Sequence, residues 1–204
     1  MPEAWARERK RDYFYRKAKK DKYRSRAAYK LLQAVSKYRF LNKGDVVIDL
    51  GAAPGGWMQA SRKIVGEEGF VLGVDLKPID PLKETNVYTF VGNLDAIEIQ
   101  KQIEQILPAQ ADVVISDVSP NVSGVWEVDH ARQIDLARKS MILALNFLRK
   151  GGNFFVKAFQ GDMLKDFVEE LTQLFARVEI IKPKASRARS AEVFVLGMGL
   201  KRRH

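Results

Sequence analysis

Short runs of apolar, largely β-branched residues alternate along the chain with segments in which apolar residues recur every three or four positions. The first pattern is typical of strands buried in a parallel sheet, and the second of amphipathic helices. The runs predict strands at residues 46–50, 70–76, 87–93, 111–120, 153–159, 176–181 and 191–199. Helical periods begin at Ser25 and near Trp57, and recur at 96–107, 129–148 and 163–175. This alternation predicts an α/β fold with a mostly parallel sheet.

The predicted strand at 46–50 leads into a glycine-rich bend that contains Gly51, Gly55 and Gly56 and ends at Trp57. In open α/β sheets, ligands bind in the crevice beyond the carboxyl ends of the strands. The order of the glycines fits neither the G-x-G-x-x-G dinucleotide pattern nor a phosphate-binding loop with its Lys-Ser/Thr pair. The bend therefore suits a nucleoside cofactor without a phosphate, of which S-adenosylmethionine is the commonest. A structural turn without a ligand is the alternative interpretation.

Polar side chains follow several of the other predicted strands. Asp75 comes 24 residues after Gly51 and ends the second strand, where nucleoside-binding α/β folds accept hydrogen bonds from ribose hydroxyls. Asn93 ends the third strand, and Asp117 ends the fourth. Because the carboxyl ends of parallel strands meet at one edge of a sheet, we expect Gly51, Asp75 and Asp117 to face one crevice.

Lys157 lies inside the apolar fifth strand and is the most informative charge in the chain. A lysine there must reach water or meet a carboxylate, since burying it alone is costly. If the last strand runs antiparallel to the others, Glu192 at its start joins Asp117 and Lys157. Lys30 falls between apolar neighbours of the first long helix, and by itself it resembles a surface lysine whose stem packs on apolar neighbours.

Composition limits the protein's class. A chain of 204 residues, 46% of them hydrophobic, fits one globular domain, and no apolar run is long enough to span a membrane. The absence of cysteine excludes disulfides, thiolate zinc sites and the thiolate nucleophile of DNA cytosine-C5 methylation. The start of the chain lacks the apolar segment of a signal peptide, so we expect a cytoplasmic protein. His130 and His204 are isolated, and we expect no metal site.

Positive charge is concentrated at the start of the chain. Residues 1–44 hold 15 Lys and Arg against 4 Asp and Glu, whereas the remaining residues are nearly balanced. Four aromatic residues lie among the basic ones in residues 1–22, and this mixture predicts an arm that contacts RNA through phosphates and unpaired bases. A solvated arm, or one that docks on the core, is the alternative. We therefore expect an arm at 1–22 and a single catalytic domain at 23–204, with a second phosphate-facing stretch at 182–190.

Four blocks in this order resemble the FtsJ/RrmJ family of RNA 2′-O-ribose methyltransferases. They are Asp49-Leu50-Gly51-Ala52-Ala53-Pro54-Gly55-Gly56-Trp57, Asp117-Val118-Ser119-Pro120, Phe155-Val156-Lys157 and Ser190-Ala191-Glu192, preceded by Ser25-Arg26-Ala27-Ala28-Tyr29-Lys30-Leu31. The resemblance implies a Rossmann-like sheet of seven strands, the last antiparallel, with helices on both faces. It also implies S-adenosylmethionine on the bend at Gly51, Gly55, Gly56 and Trp57, with further contacts from Asp75, Asn93 and Asp117. The implied catalytic tetrad is Lys30, Asp117, Lys157 and Glu192.

The same resemblance implies methylation of a ribose 2′-hydroxyl, with a uridine of large-subunit ribosomal RNA as the expected target and a monomer as the expected state. One position departs from the family pattern: many members end the third strand with Gly-Asp, and this chain has Gly92-Asn93. An asparagine oxygen still accepts a hydrogen bond from an adenine amino group. A transfer RNA target, a catalytically silent RNA-binding or ribosome-assembly module, and a nicotinamide-dependent oxidoreductase are the alternatives.

Overall fold

The computed structural model describes residues 12–96, 98–187 and 189–201. Its helices are α1 (Tyr13–Lys20), α2 (Ala28–Tyr38), α3 (Gly56–Val65), α4 (Glu98–Ile106), α5 (Trp126–Phe147) and α6 (Leu164–Leu174). Its strands are β1 (Val46–Leu50), β2 (Phe70–Asp75), β3 (Val87–Val91), β4 (Ala111–Ser116), β5 (Leu148–Phe159), β6 (Phe175–Ile181) and β7 (Glu192–Leu200). The α/β class predicted from the sequence is confirmed.

The seven strands form one sheet in the order β3-β2-β1-β4-β5-β7-β6. Strands β1 to β5 pair in parallel, whereas β7 pairs antiparallel with both β5 and β6. The last strand in the chain therefore lies inside the sheet and runs opposite to its six companions. This arrangement confirms the predicted antiparallel last strand, and it turns the start of β7 toward the carboxyl end of β5.

Apolar side chains on both faces of the central strands explain why those strands are buried. Val47 packs with α2 and α3 on one face, whereas Ile48 packs with α4 and α5 on the other. Successive side chains of a strand point to opposite faces, so a continuous apolar run buries both. The helices thus cover both sides of the sheet, as expected for a doubly wound fold.

An aromatic cluster fills the core beneath the glycine bend. The Phe155 ring stacks on Phe194 at 5.0 Å between centroids and on Trp57 at 5.5 Å, and Phe40 tilts against it at 5.2 Å. All four residues are buried. Since β5, β7, α3 and the segment after α2 each contribute one ring, the cluster joins the elements that meet at the site described below.

Helix α5 begins three residues earlier than the periodicity predicts, at Trp126 instead of 129. Asp129 lies inside the first turn of the helix. Its carboxylate accepts hydrogen bonds from the Ser123 and Gly124 N–H groups and so holds the preceding loop. These hydrogen bonds lower the pKa of Asp129. No helix of the described residues combines the length and apolar character needed to cross a bilayer.

Several other predicted boundaries are wrong. Strand β5 begins at Leu148 instead of 153, and its pairing with β4 shifts register between the Ala111–Leu148 and Val113–Asn153 pairs, with Gly151 at φ +79° between them. Strand β4 ends at Ser116 instead of 120, and β3 ends at Val91 instead of 93. Ser25 does not cap α2. The helix begins at Ala28, its N-cap residue is Ala27, and no side chain caps this end with a hydrogen bond. Ser25 instead packs against Gly56, where an added Cβ would lie 2.2 Å from the Ser25 oxygen.

Residues 12–22 of the predicted arm form a turn and the short helix α1. Ala18 is buried with Tyr29 and Ala185, and the Phe14 ring packs on Tyr29 at 5.6 Å between centroids. This part of the arm therefore docks on α2 and on the loop at 182–190. Trp5, Arg9, Lys10 and Arg11 lie outside the described residues, and the domain boundary at residue 22 stays a prediction.

Phe155→Ala tests whether the aromatic cluster holds this half of the sheet together. We expect the free energy of unfolding to fall by about 3–5 kcal/mol, because the truncation leaves a cavity among Trp57, Phe194 and Phe40. Urea unfolding followed by circular dichroism measures the change. Ile142→Ala, on the exposed side of α5, is the matched control and is expected to change stability by less than about 0.5 kcal/mol. Equal losses in the two variants would contradict this role of the cluster.

Candidate active site

A cavity of about 420 Å³ lies at the carboxyl ends of β1, β2, β3 and β4. This volume falls within the range of small-molecule sites, about 300–1,000 Å³. The wall combines the glycine bend, the tips of two strands and the segment after β4, and it includes Gly51, Ala53, Asp75, Asn93, Asp95, Asp117, Val118 and Asn121. The structure thus brings together Gly51, Asp75, Asn93 and Asp117 from the set of residues predicted to bind the cofactor.

The glycine bend is pinned to the neighbouring strand by its backbone. Gly51 has φ +75°, and its N–H donates to the Val74 carbonyl at 2.8 Å. The Ala53 N–H donates to Asp75 Oδ2 at 2.9 Å. A Cβ on Gly51 would lie 2.9 Å from the Val118 side chain, so only glycine satisfies both the φ value and the close approach.

Arg24 clamps the outer side of the same bend. Its guanidinium donates to the carbonyls of Pro54 at 3.2 Å and Pro81 at 2.9 Å, and also to that of Asp80. The Arg24 N–H in turn donates to Gln59 Oε1 on α3 at 2.7 Å. The basic N-terminal segment is therefore tied to the bend by hydrogen bonds to the main chain. The sequence offers no signal for this role, because Arg24 is one of many basic residues there.

Gly55, Gly56 and Trp57 lie on the side of the bend that faces α2. Trp57 is buried, and its indole Nε1–H donates to the Ala27 carbonyl at 2.7 Å. Gly55 approaches the Arg24 side chain, and Gly56 approaches Ser25. In the described structure these three residues support the bend and dock α2 on it, and their contact with a cofactor stays a prediction.

The tips of β2 and β3 place three polar side chains along the cavity. Asp75 accepts hydrogen bonds from the N–H groups of Ala53 and Lys77, which fixes its carboxylate. Asn93 Oδ1 accepts from the Asp95 N–H at 3.0 Å, and Asp95 is paired with Lys139 at 2.9 Å. Carboxylate and amide oxygens have further lone pairs, so Asp75 and Asn93 can each accept another hydrogen bond.

Lys157 and Asp117 form an ion pair at the cavity edge. Lys157 Nζ lies 3.1 Å from Asp117 Oδ1 and donates to the Asp117 main-chain oxygen at 2.7 Å. The lysine is only 6% exposed, and the Gln133 amide on α5 fixes its backbone by donating to the Lys157 carbonyl at 3.1 Å. Of the two environments expected for Lys157, water or a carboxylate, the structure shows the carboxylate. Among the described residues, only the Asp117 main-chain oxygen accepts a hydrogen bond from Nζ, so the ammonium has N–H directions left for a further acceptor.

Lys30 and Glu192 form a second pair. Lys30 Nζ donates to Glu192 Oε2 at 2.7 Å and lies 2.6 Å from Oε1, and the lysine is 8% exposed. The Ser186 hydroxyl donates to Glu192 Oε1 at 2.8 Å. Lys30 is therefore not the surface lysine that helical periodicity alone suggests, since α2 turns it into the protein toward β7.

The two pairs share one face of the sheet. In the β5–β7 ladder Lys157 is opposite Phe194, and Phe159 is opposite Glu192. Lys30 Nζ lies 5.5 Å from the centroid of the Phe194 ring. Because residues two apart on a strand point to the same side, Glu192 and Phe194 face the same way as Lys157. All four residues of the predicted tetrad thus lie in one region, where Phe194 lies beside Lys30 and opposite Lys157.

Asp49 is a buried carboxylate near Asp75 and Asp117, and the sequence pattern assigns it no role. It is fully buried near the end of β1, and neither side-chain oxygen has a hydrogen-bond partner within the described structure. Burial raises the pKa of Asp49 well above its ordinary value, and the negative charges of Asp117 and Asp75 add to the effect. The only signal in the sequence is one carboxylate inside an apolar strand. Across the described residues, no three His, Asp or Glu side chains come together as a metal site.

Comparison with known proteins identifies relatives of the whole chain. The sequence model of the FtsJ-like methyltransferases matches residues 23–200. The chain is 51% identical to the Ribosomal RNA large subunit methyltransferase E of Methanococcus aeolicus, over 95% of this chain and 72% of that protein. It is 45% identical to the protein of the same name from Methanothermobacter thermautotrophicus, over 98% of this chain and 95% of that protein.

Solved structures agree with this family. A Plasmodium falciparum crystal structure described as that of a putative ribosomal RNA methyltransferase matches with a TM-score of 0.77 and 26% identity, over 89% of this chain and all of that one. Aeropyrum pernix fibrillarin with bound S-adenosyl-L-methionine matches with a TM-score of 0.55 and 18% identity, over 86% of this chain and 75% of that one. The second likeness shows the fold alone.

Asp49→Asn tests the state of the buried carboxyl group. A raised pKa means that the folded chain keeps a proton that the unfolded chain has released. The free energy of unfolding therefore falls as pH rises from the ordinary carboxyl pKa to the folded pKa of Asp49. We expect the asparagine variant to lack this contribution, so that its stability gains on the unmodified chain by up to about 1.4 kcal/mol per pH unit within that window. Urea unfolding between about pH 4 and pH 9 measures the difference. Parallel curves would show that Asp49 has the same charge in both states.

Proposed function

The chain belongs to the FtsJ-like methyltransferase family, and we propose that it transfers a methyl group from S-adenosylmethionine to a ribose 2′-hydroxyl of large-subunit ribosomal RNA, at a uridine. One observation carries the proposal: Asp117 both lines the nucleoside-sized cavity and pairs with the buried Lys157. A cofactor site and a buried lysine thus meet at one residue. The ribosomal target rests on the names of the relatives.

The residues around the cavity fit S-adenosylmethionine. Asp75 at the tip of β2 is placed to accept hydrogen bonds from ribose hydroxyls, and Asn93 at the tip of β3 to contact the adenine. Gly51 has no side chain, so the backbone can approach the ligand closely. Asp75 and Asp117 provide negative charge for a cationic ligand. When bound, S-adenosylmethionine supplies an electrophilic methyl group on a sulfonium sulfur.

Lys157 is the residue that meets the acceptor hydroxyl. A ribose 2′-hydroxyl is a weak nucleophile, and its oxygen must be aligned with the methyl group and lose its proton as the new O–C bond forms. The N–H direction that Asp117 leaves open lets Lys157 hold the hydroxyl oxygen. The proton that the hydroxyl releases as the O–C bond forms passes to the Lys157 amine, and the two Asp117 oxygens stabilise the resulting ammonium.

Lys30 and Glu192 support this arrangement from the other side of Phe194. Glu192 starts β7 opposite Phe159, so its pair with Lys30 ties α2 to the strand that lies next to Lys157. We assign the pair to positioning Lys157.

A basic surface next to the tetrad provides the RNA contact. The groove between α1, α2 and the loop at 182–190 is lined by Lys17, Lys37, Lys182 and Lys184, and a neighbouring cavity by Arg26, Arg187 and Arg189. The loop also supplies Ser186, which holds Glu192. RNA phosphates on this surface would therefore lie next to the catalytic residues. Arg9, Lys10 and Arg11, which the sequence also predicts to contact RNA, lie outside the described residues.

Lys157→Met tests the catalytic assignment, since methionine keeps an apolar stem and removes the amine. We expect methyl transfer to large-subunit ribosomal RNA to fall by at least about 100-fold, because the group that positions and deprotonates the hydroxyl is lost. Calorimetry with S-adenosylmethionine is expected to show nearly unchanged affinity. Lys150→Met, on the exposed start of the same strand, is the matched control and should retain full turnover.

Three outcomes would each contradict one part of this proposal. Full turnover in the Lys157 variant, with its folding checked by thermal unfolding, would remove Lys157 from the mechanism. Failure of the unmodified chain to bind S-adenosylmethionine would favour the silent RNA-binding module. Methylation confined to transfer RNA would keep the reaction and replace the target.

Replacing Arg187 and Arg189 together by glutamine tests the RNA surface. We expect weaker RNA binding. The slope of log affinity against log salt concentration should become less negative by about 0.7–0.9 for each phosphate that the variant no longer neutralises. Filter binding or fluorescence anisotropy at several salt concentrations measures the slope. Lys165→Gln, exposed on α6, removes a positive charge away from the loop and should leave the slope unchanged. An unchanged slope in the double variant would place the phosphates elsewhere.

A further inference from the structure

An exposed apolar patch surrounds the start of α5, and the proposed function does not account for it. It consists of Val122, Val125, Trp126 and Val128, all of them exposed. The Trp126 side chain is 45% exposed, although tryptophan is mostly buried in folded proteins. Exposed apolar patches of this kind mark interaction surfaces when they lie next to a functional site.

The Trp126 ring is held in a fixed orientation. It stacks on His130 with centroids 5.7 Å apart and planes 20° apart, and on Phe159 at 6.0 Å and 22°. His130 is itself fixed, because its Nε2 accepts a hydrogen bond from the Met163 N–H at 3.1 Å. Gly161 packs on the imidazole, where any Cβ would come within 2.7 Å of the ring. Trp126 is therefore a preorganised flat surface.

The position of this surface follows from α5 and β5. Trp126, His130 and Gln133 are spaced by four and three residues and lie on one stripe of α5. Gln133 Nε2 donates to the carbonyl of Lys157, so the stripe runs alongside the catalytic lysine. Phe159, on which Trp126 stacks, follows Lys157 by two residues, about 6–7 Å along the strand.

We propose that Trp126 is the stacking platform for an unpaired base of the acceptor RNA, at or next to the nucleotide whose ribose is methylated. This inference rests on the proposed function. A 2′-hydroxyl inside a stacked helix cannot reach a buried lysine, so the nucleotide must leave its stack, and its base then needs a new partner. A tryptophan face satisfies that need for any base. The apolar ring suits a base better than a phosphate. The phosphates would instead contact the basic loop at 182–190.

Trp126→Ala is the central test, with unmodified large-subunit ribosomal RNA transcribed in vitro as the probe. We expect the KM for RNA to rise by about 5- to 100-fold, the range for loss of one base–aromatic stack. The KM for S-adenosylmethionine should stay unchanged. Trp126→Phe keeps an aromatic face and is expected to stay within about threefold of the unmodified chain. Val128→Ala, which trims the same patch without touching the ring, is the matched control.

Two further readouts separate stacking from a structural effect. Because the ring is uncharged, Trp126→Ala should leave the salt slope of RNA binding unchanged, unlike the Arg187 and Arg189 variant. In a Trp5→Phe background, which removes the tryptophan of the predicted arm, the same transcript should quench tryptophan fluorescence, and adding Trp126→Phe should remove most of that quenching while activity is kept.

The results that would overturn the inference are distinct from those that overturn the proposed function. An unchanged KM for RNA in Trp126→Ala, or equal losses in Trp126→Ala and Val128→Ala, would assign the patch to something other than base stacking. Absence of RNA methylation by the unmodified chain would instead refute the proposed function. The quenching measurement needs no turnover, so quenching that persists in Trp126→Phe would overturn the stacking platform even then.

Discussion

Burying an ammonium group is costly unless an oxygen acceptor is buried with it, and this constraint organises the site. Lys30 and Lys157 are both more than nine-tenths buried, and each is held by a carboxylate. Breaking a buried pair costs about 3–5 kcal/mol, because the remaining charge has no partner. The pairs therefore do more than place catalytic groups: they require that α2, β4, β5 and β7 meet at one point.

The antiparallel strand β7 makes this meeting possible. A parallel strand in its place would bring its final residue, and not its first, to the carboxyl edge of β5. Because β7 runs the other way, Glu192 stands opposite Phe159, and the loop that precedes it lies beside the site. That loop carries Ser186 and the basic residues at 182–190, so one topological feature delivers both a tetrad member and a phosphate-facing surface.

The sequence predicts the strands and the polar residues at their ends well, since both depend on local pattern and on the rule that parallel strands end at one edge. It predicts less about contacts between distant segments. Helical periodicity alone places Lys30 on a surface, because its partner lies 162 residues away. The start of α5 is missed for a related reason: the Asp129 carboxylate folds back to bind the loop before the helix, and local periodicity does not reveal that contact.

The charges around the site are divided between two binding tasks. Asp75 and Asp117 give the cavity a negative character, and their charges add to the effect of burial in raising the pKa of Asp49. The loop at 182–190, α1 and α2 carry positive charge on the neighbouring surface. In the proposed reaction, the first region suits a cationic methyl donor and the second a polyanionic RNA. The two lysine–carboxylate pairs link these regions, because Asp117 lines the cavity and Glu192 is held by Ser186 of the basic loop.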